Sequence, residues 1–139
     1  MIAFKKLQEA AIIPKRNHAS DAGLDLHCIE PVTIYSGQKA LLPSGLAMAI
    51  PEGYVGLIWP RSGLASKNGI DTLAGVVDAS YRGEIKISLI NHGERPVEFK
   101  PGDRIAQLLV QPIVLWDPVE VHDLDNTARG VKGFGSSGL

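Results

Sequence analysis

The sequence predicts an all-β sandwich or barrel-like single domain, and three observations carry that prediction. Fifteen glycines and nine prolines divide the 139 residues at intervals of roughly ten, the turn spacing of a chain built from short strands. The segments between them are short and either apolar or alternating, as strands that bury one face must be. No stretch has the apolar period of a long amphipathic helix, which removes βαβ folds and helix bundles.

The elements follow in order. "LDLHCI" (24–29), "PVTIY" (31–35), "LAMAI" (46–50), "YVGLIW" (54–59), "EIKISLIN" (84–91), "PVEFK" (96–100) and "RIAQLLVQPIV" (104–114) read as strands. In "EIKISLIN" Ile85, Ile87 and Leu89 fall on one face, Lys86 and Ser88 on the other. "YSGQ", "PEGY", "NHGER" and "KPGDR" supply turns, each placing Gly where the chain must reverse. Only "SGLASKNG" (62–69) suits a helix, with Ser62 as its cap and Gly69 as its stop. The Gly/Ser-rich end, "RGVKGFGSSGL" (129–139), is the one compositionally biased segment, either a flexible tail or a flexible C-terminal arm.

Composition narrows the function. Fourteen Lys and Arg stand against fifteen Asp and Glu, a net charge of −1, so non-specific attraction to nucleic acid or acidic membranes has no electrostatic basis. An anionic ligand must be held by a few local groups. The one cysteine, Cys28, excludes an internal disulfide framework and a multi-cysteine zinc site. The first residues, "MIAFKKLQEAAIIPKRN", contain no apolar run of signal or membrane-span length. A soluble, cytoplasmic protein with no membrane or nucleic-acid partner is expected.

Four windows hold chemistry-bearing residues. "AGLDLHC" places Asp25 opposite the face of Leu24 and Leu26. Such a carboxylate ordinarily faces solvent; if it met a metal, Mg²⁺ through water would be the chemistry. "WPRSGLASKNG" sets Arg61 and Ser62 at the helix start, either a plain cap beside a solvated Arg or a phosphate site. "GVVDASYRGE" (75–84) places Asp78 before a turn carrying Tyr81. An Asp there usually accepts local N–H groups, but held rigidly it can also orient a water. Tyr81 either packs or forms a platform for a sugar or base. In "PGDRIAQLLV", Asp103 and Arg104 look like turn and ion-pair residues, and Gln107 needs a partner if buried.

A fifth window, at the Gly/Ser-rich end, poses a puzzle. Gly133, Gly135 and Gly138 have the G-x-G-x-x-G spacing of a dinucleotide loop, with only Leu139 after them. That fingerprint works only between a strand and a helix. A loose tail or an arm that closes over phosphate remains. The four histidines lack H-E-x-x-H or C-x-x-C companions, and G-x-S-x-G and the P-loop pattern are missing.

Taken together and in order, "AGLDL" (22–26), "PRSGLA" (60–65), "GVVDASYRGEI" (75–85), "GDRIAQLL" (102–109) and "RGVKGFGSSG" (129–138) resemble the five motifs of the trimeric dUTP pyrophosphatases. The resemblance runs from Ala22 to Gly138. It implies a β jelly roll over 1–128 with an arm over 129–139, a homotrimer with shared active sites, and hydrolysis of dUTP to dUMP and pyrophosphate with Mg²⁺. It further implies that Asp78 orients the water attacking the α-phosphorus, and that Tyr81 lies against deoxyribose and refuses a 2′-hydroxyl. The hairpin from Leu73 to Val77, Gly75 and Val76 included, would read the uracil edge. Arg61, Ser62, Gly63 and Gln107 would hold phosphates, and Asp25 would belong to the shell around Mg²⁺. From the arm, Phe134 would stack on uracil and Gly135 would let the backbone come close to the ligand, while Arg129, Ser136 and Ser137 would reach the γ-phosphate.

Three positions depart from the family's habit: Ser137 stands for Thr, Lys132 for Gly, and Thr72 for an Asn common in bacterial members. None removes a catalytic group. The nearest rival is dCTP deaminase, which shares the fold but is generally longer and uses a Glu in the hairpin region as proton shuttle. A binding or scaffold trimer is the rival from another class, and it has little need for Asp78, Tyr81, Arg129 and Phe134 together.

Overall fold

The computed structural model describes residues 1–133. Eleven strands and one helix follow in order: β1 Ala3–Lys6, β2 Leu24–His27, β3 Val32–Ile34, β4 Lys39–Pro43, β5 Leu46–Ala49, β6 Tyr54–Trp59, α1 Ser62–Asn68, β7 Ile70–Thr72, β8 Val76–Val77, β9 Lys86–Asn91, β10 Val97–Phe99 and β11 Arg104–Pro112. All pairings are antiparallel, in a four-stranded sheet β2-β11-β6-β8, a three-stranded sheet β4-β9-β7, and the pairs β1-β5 and β3-β10. The jelly-roll-like architecture and the single short helix agree with the sequence reading. No helix among the described residues is long and apolar enough to cross a membrane.

Alternation does the sorting. Along β9, Ile87 and Leu89 are fully buried while Lys86 is exposed and Ser88 half-buried. The inward face ends in Asn91, a buried amide. Its Nδ2 donates to the carbonyls of Ile34 (2.8 Å) and Arg95 (2.8 Å), and its Oδ1 accepts from the Gly93 N–H (2.8 Å). Burial without desolvation cost depends on that complete set of bonds. Leu24 and Leu26 from β2, Ile58 from β6 and Leu108 from β11 meet them in one core.

β11 carries the detail that positions the site. Its register against β2 slips between Arg104 and Ala106, so Arg104 pairs with His27 while Ala106 pairs with Leu26. Ile105 is the inserted residue of a β-bulge. Strict alternation would put Ile105 outward beside Gln107 and Arg104 inward. The bulge instead buries both Ile105 and Ala106 completely and turns Arg104 to the face of Asp25.

Candidate active site

Two clefts gather most of the residues singled out in the sequence, and the two have no lining residue in common. The first, of about 510 Å³, lies between β2, α1 and β11 and brings together Asp25, Arg61, Ser62, Gly63, Arg104 and Gln107. Gln107 faces Asp25 on β2 and Trp59 on β6. Its amide donates to the Pro60 carbonyl (2.9 Å), the partner its half-buried position requires. Gly23 lies directly beneath it, where a Cβ would collide with the Gln107 side chain.

Asp25 is the electrostatic centre of this cleft. Oδ1 meets Arg61 Nε at 3.3 Å and Oδ2 meets Arg104 Nη1 at 3.3 Å, with the carboxylate side chain only 16% exposed. Arg61 Nη1 also donates to the Arg104 carbonyl (3.2 Å). Two guanidinium groups sharing one carboxylate leave cationic capacity unspent, the condition for taking an anion. Beside them, burial holds the His27 imidazole below its usual 6.5; Asp25 pulls upward, Arg104 and Arg61 downward. His27 Nδ1 is buried without a hydrogen-bond partner.

The helix corrects one expectation. Arg61, with φ −85° and ψ 132°, is the N-cap; Ser62 is the first helical residue and makes no side-chain capping bond. The extended backbone of Arg61 goes with a side chain tied back to β2 and β11, so the helix starts one residue earlier than a Ser62 cap would set it. Its first internal bond runs from Ala65 N–H to the Arg61 carbonyl (2.9 Å). The amides of Ser62, Gly63 and Leu64 therefore have no helical acceptor, and all three residues line the cleft. The stop is as expected: Gly69 is left-handed at φ 70°.

The second cleft, of about 290 Å³, is built on backbone. The expected hairpin is a connection between two sheets, since β7 pairs with β9 and β8 with β6, and it contains Ala74 at φ 59° and Gly75 at φ 105°. A Cβ on Gly75 would sit 2.7 Å from the Ile58 carbonyl, so that position admits no side chain. Ile58 N–H donates to the Gly75 carbonyl (2.8 Å), Leu73 N–H to Ser88 (2.9 Å), and Thr72 Oγ1 to Ile58 (3.3 Å). These bonds pin the hairpin to β6 and β9. Val76 is exposed, and it lines the cleft with Gly75, Asp78 and Tyr81.

Asp78 follows β8 directly. Its carbonyl, not its side chain, closes the turn by accepting the Tyr81 N–H (3.0 Å). Among the described residues its carboxylate has no hydrogen-bond or ion-pair partner, so local capping does not occupy it. Tyr81 is anchored through its hydroxyl, which donates to the Glu84 carbonyl (3.0 Å), while the ring stays 47% exposed.

The remaining expected residues are not assembled here. Arg129 lines neither cleft; its Nε donates to the Lys132 carbonyl (2.9 Å). Phe134, Gly135, Ser136 and Ser137 lie outside the described residues. Asn17 and Lys67 line the charged cleft and had no signal in the sequence beyond their proximity to motifs. Cys28 is buried, with a thiol pushed up by burial and donating to the Glu30 carbonyl (2.7 Å). That is the setting of an inert thiol.

A Mg²⁺ cage is not built by the protein alone. No group of three or more His, Cys, Asp or Glu side chains placed to hold a metal occurs among the described residues. Asp25 has each oxygen against a guanidinium, which opposes direct ligation of a second cation.

Comparison with known proteins gives one consistent result. The dUTPase family model matches residues 9–138. Deoxyuridine 5′-triphosphate nucleotidohydrolases of Nocardia farcinica and rice are 52% and 47% identical, covering 99% and 100% of this chain and 85% and 81% of their own. The dUTPase of Staphylococcus bacteriophage 80alpha, solved with dUpNHpp, is 33% identical with a TM-score of 0.94, covering 100% of this chain and 99% of its own. A mutant dUTPase from S. aureus phage phi11, described with a structural Mg(II) ion, is 30% identical with a TM-score of 0.83, covering 88% and 97%.

Proposed function

The chain belongs to the dUTPase family, and from that premise we propose that it hydrolyses dUTP to dUMP and pyrophosphate, with Asp78 orienting the attacking water. The observation that carries the assignment of Asp78 is its carboxylate: exposed, without a partner among the described residues, and on the rim of the hairpin cleft next to a turn that its own carbonyl closes. A carboxylate so held accepts a proton from water as the new P–O bond forms at the α-phosphorus. The bond to the bridging α,β oxygen breaks, and pyrophosphate leaves.

The two clefts divide the substrate between them. The hairpin takes uracil through the backbone around Gly75 and Val76, with no depth for thymine's methyl, and Tyr81 stacks under deoxyribose where a 2′-hydroxyl would collide. Arg61, Ser62, Gly63 and Gln107 receive the phosphates. A homotrimer explains why these halves are separate on one chain: the hairpin of one subunit faces the charged cleft of another. The segment 129–139 then acts as an arm beyond the 1–128 domain. In it Phe134 stacks on the base, Gly135 lets the backbone come close to the ligand, and Arg129, Ser136 and Ser137 approach the γ-phosphate. Mg²⁺ belongs to the proposal as the ion that accompanies the triphosphate, supplying charge neutralisation; Asp25, engaged by two arginines, touches its shell only through water. The expected compartment is the cytoplasm.

The test is pyrophosphate release from dUTP, dCTP, dTTP and UTP in parallel with Mg²⁺, with ammonia followed from dCTP. Turnover confined to dUTP is the expected result. Ammonia from dCTP moves the protein to the deaminase branch, and silence on all four leaves a binding or scaffold trimer.

A further inference from the structure

The charged cleft continues past the residues used above. Lys67 stands four positions after Gly63 on α1, so it projects from the same helical face about 6 Å further along the axis. Lys67 and Asn68 line both this cleft and a second open one of about 390 Å³, whose opposite wall is Gly93, Glu94 and Arg95. The two clefts adjoin at the C-terminal end of the helix through those two residues.

Backbone contacts tie the helix end to the facing wall. A Cβ on Gly69 would come within 2.5 Å of Gly93 N, and one on Gly93 would run into the Asn68 carbonyl. His92 N–H donates to the Gly69 carbonyl (2.8 Å), and the buried Asn91 holds the far side through Gly93 N–H and the Arg95 carbonyl. Lys67 and Arg95 thereby stand on two backbone segments that these contacts tie together. Both are exposed, and neither charged group makes a hydrogen bond or ion pair among the described residues.

We propose that Lys67 and Arg95 form an exit track for pyrophosphate, resting on the assignment of Ser62 and Gly63 as phosphate holders. A phosphate chain anchored on those two residues and running along α1 meets the Lys67 ammonium next. Once the α,β bond is broken, the multiply charged anion passes into the adjoining cleft to Arg95. Glu94 in the same wall opposes the anion, which suits transit rather than retention. A flexible point charge like lysine follows a moving phosphate better than a rigid fork does.

The test is direct binding of inorganic pyrophosphate and of dUMP to the full-length protein by calorimetry, for wild type, Lys67→Gln, Lys67→Arg and Arg95→Gln. Pyrophosphate affinity should fall about 5- to 10-fold in Lys67→Gln, the scale of one lost charge-assisted contact. A smaller fall is expected in Arg95→Gln, and Lys67→Arg should restore most of it. Affinity for dUMP, which lacks the departing phosphates, should not change. Equal loss for both ligands marks a general distortion of the cleft and overturns the track, as does pyrophosphate affinity indifferent to both glutamine variants. Those outcomes leave dUTP turnover by the wild type untouched. Failure of that turnover strikes the proposed activity instead, while a Lys67-dependent pyrophosphate site would still stand.

Discussion

On the proposed assignment, the charged cleft and the hairpin cleft solve recognition in opposite ways. In the first, side chains do the work: Arg61, Arg104 and Asp25 form a linked set drawn from three elements, and a bulge at Ile105 is needed to point one of them correctly. In the second, main chain does the work: Ala74 and Gly75 hold positive φ against β6, and of the polar side chains lining the cleft the proposal calls on Asp78 and Tyr81. Phosphate is a symmetric, highly charged group for which flexible cations suffice. Uracil differs from cytosine and thymine by small changes on one edge, and rigid backbone discriminates these best. The same chain therefore contains one region whose failures should be graded and electrostatic, and another whose failures should be abrupt and geometric.

The largest expected effect lies on the hairpin side. Asp78→Asn keeps size and shape but cannot take a proton, so kcat should fall by about 10²- to 10⁴-fold with dUTP affinity retained. Stopped-flow or steady-state turnover beside equilibrium binding separates the two, and a near-normal kcat would remove Asp78 from its role. Next comes Gly75→Ala. The added Cβ meets the Ile58 carbonyl at 2.7 Å and must adopt φ 105°, a conformation that costs on the order of 1–3 kcal/mol. KM for dUTP should rise by about 10- to 100-fold, with discrimination against dTTP eroded, as measured by competition between the two nucleotides.

Arg61→Lys probes the other side and should cost less. Charge is kept while the forked contact to Asp25 and the donor to the Arg104 carbonyl are lost, so KM should rise about tenfold with kcat and base discrimination unchanged. If Arg61→Lys altered discrimination, or Gly75→Ala altered only phosphate affinity, the division of labour between the clefts would fail.

Legibility in the sequence followed the same division. Strands with strict alternation, such as β9, were readable because burial and period coincide. β4 was not: Leu41 is 63% exposed beside buried Leu42, so its apolar pair shows no sided pattern. β1, β7 and β8 are two to four residues long and carry no turn-bounded apolar run, whereas the equally short β3 and β10 stand inside "PVTIY" and "PVEFK", which mark them. Arg104 was readable as an ion-pair residue, but its partner Asp25 lies 79 residues away, and only the bulge brings them together. Ser62 looked like a cap because local propensity favours it; the tie from Arg61 to β2 overrode that preference. The candidate site residues were named from five motifs, whereas their separation into two clefts depends on sheet order and could not be read from spacing.

The smallest effect concerns His27, the one titrating group beside the charged cleft with a resolved displacement. Burial holds its pKa below 6.5, and Arg104 and Arg61 act in the same direction against Asp25. The unfolded chain therefore takes up a proton at higher pH than the folded one, so folding stability is greater above 6.5 and declines as pH falls through the folded value. The buried, unpartnered Nδ1 adds to the penalty for charging the ring. Thermal unfolding from neutral to mildly acidic pH should show this decline in the wild type, and His27→Gln should flatten it without altering the melting temperature's dependence elsewhere. Because the imidazolium would face Arg61 and Arg104, the same titration acts on the charged cleft and not on the hairpin: nucleotide discrimination should stay constant across this pH range while stability shifts. A pH-dependent loss of uracil selectivity, or a slope unchanged in His27→Gln, would show that the proton is taken up somewhere else.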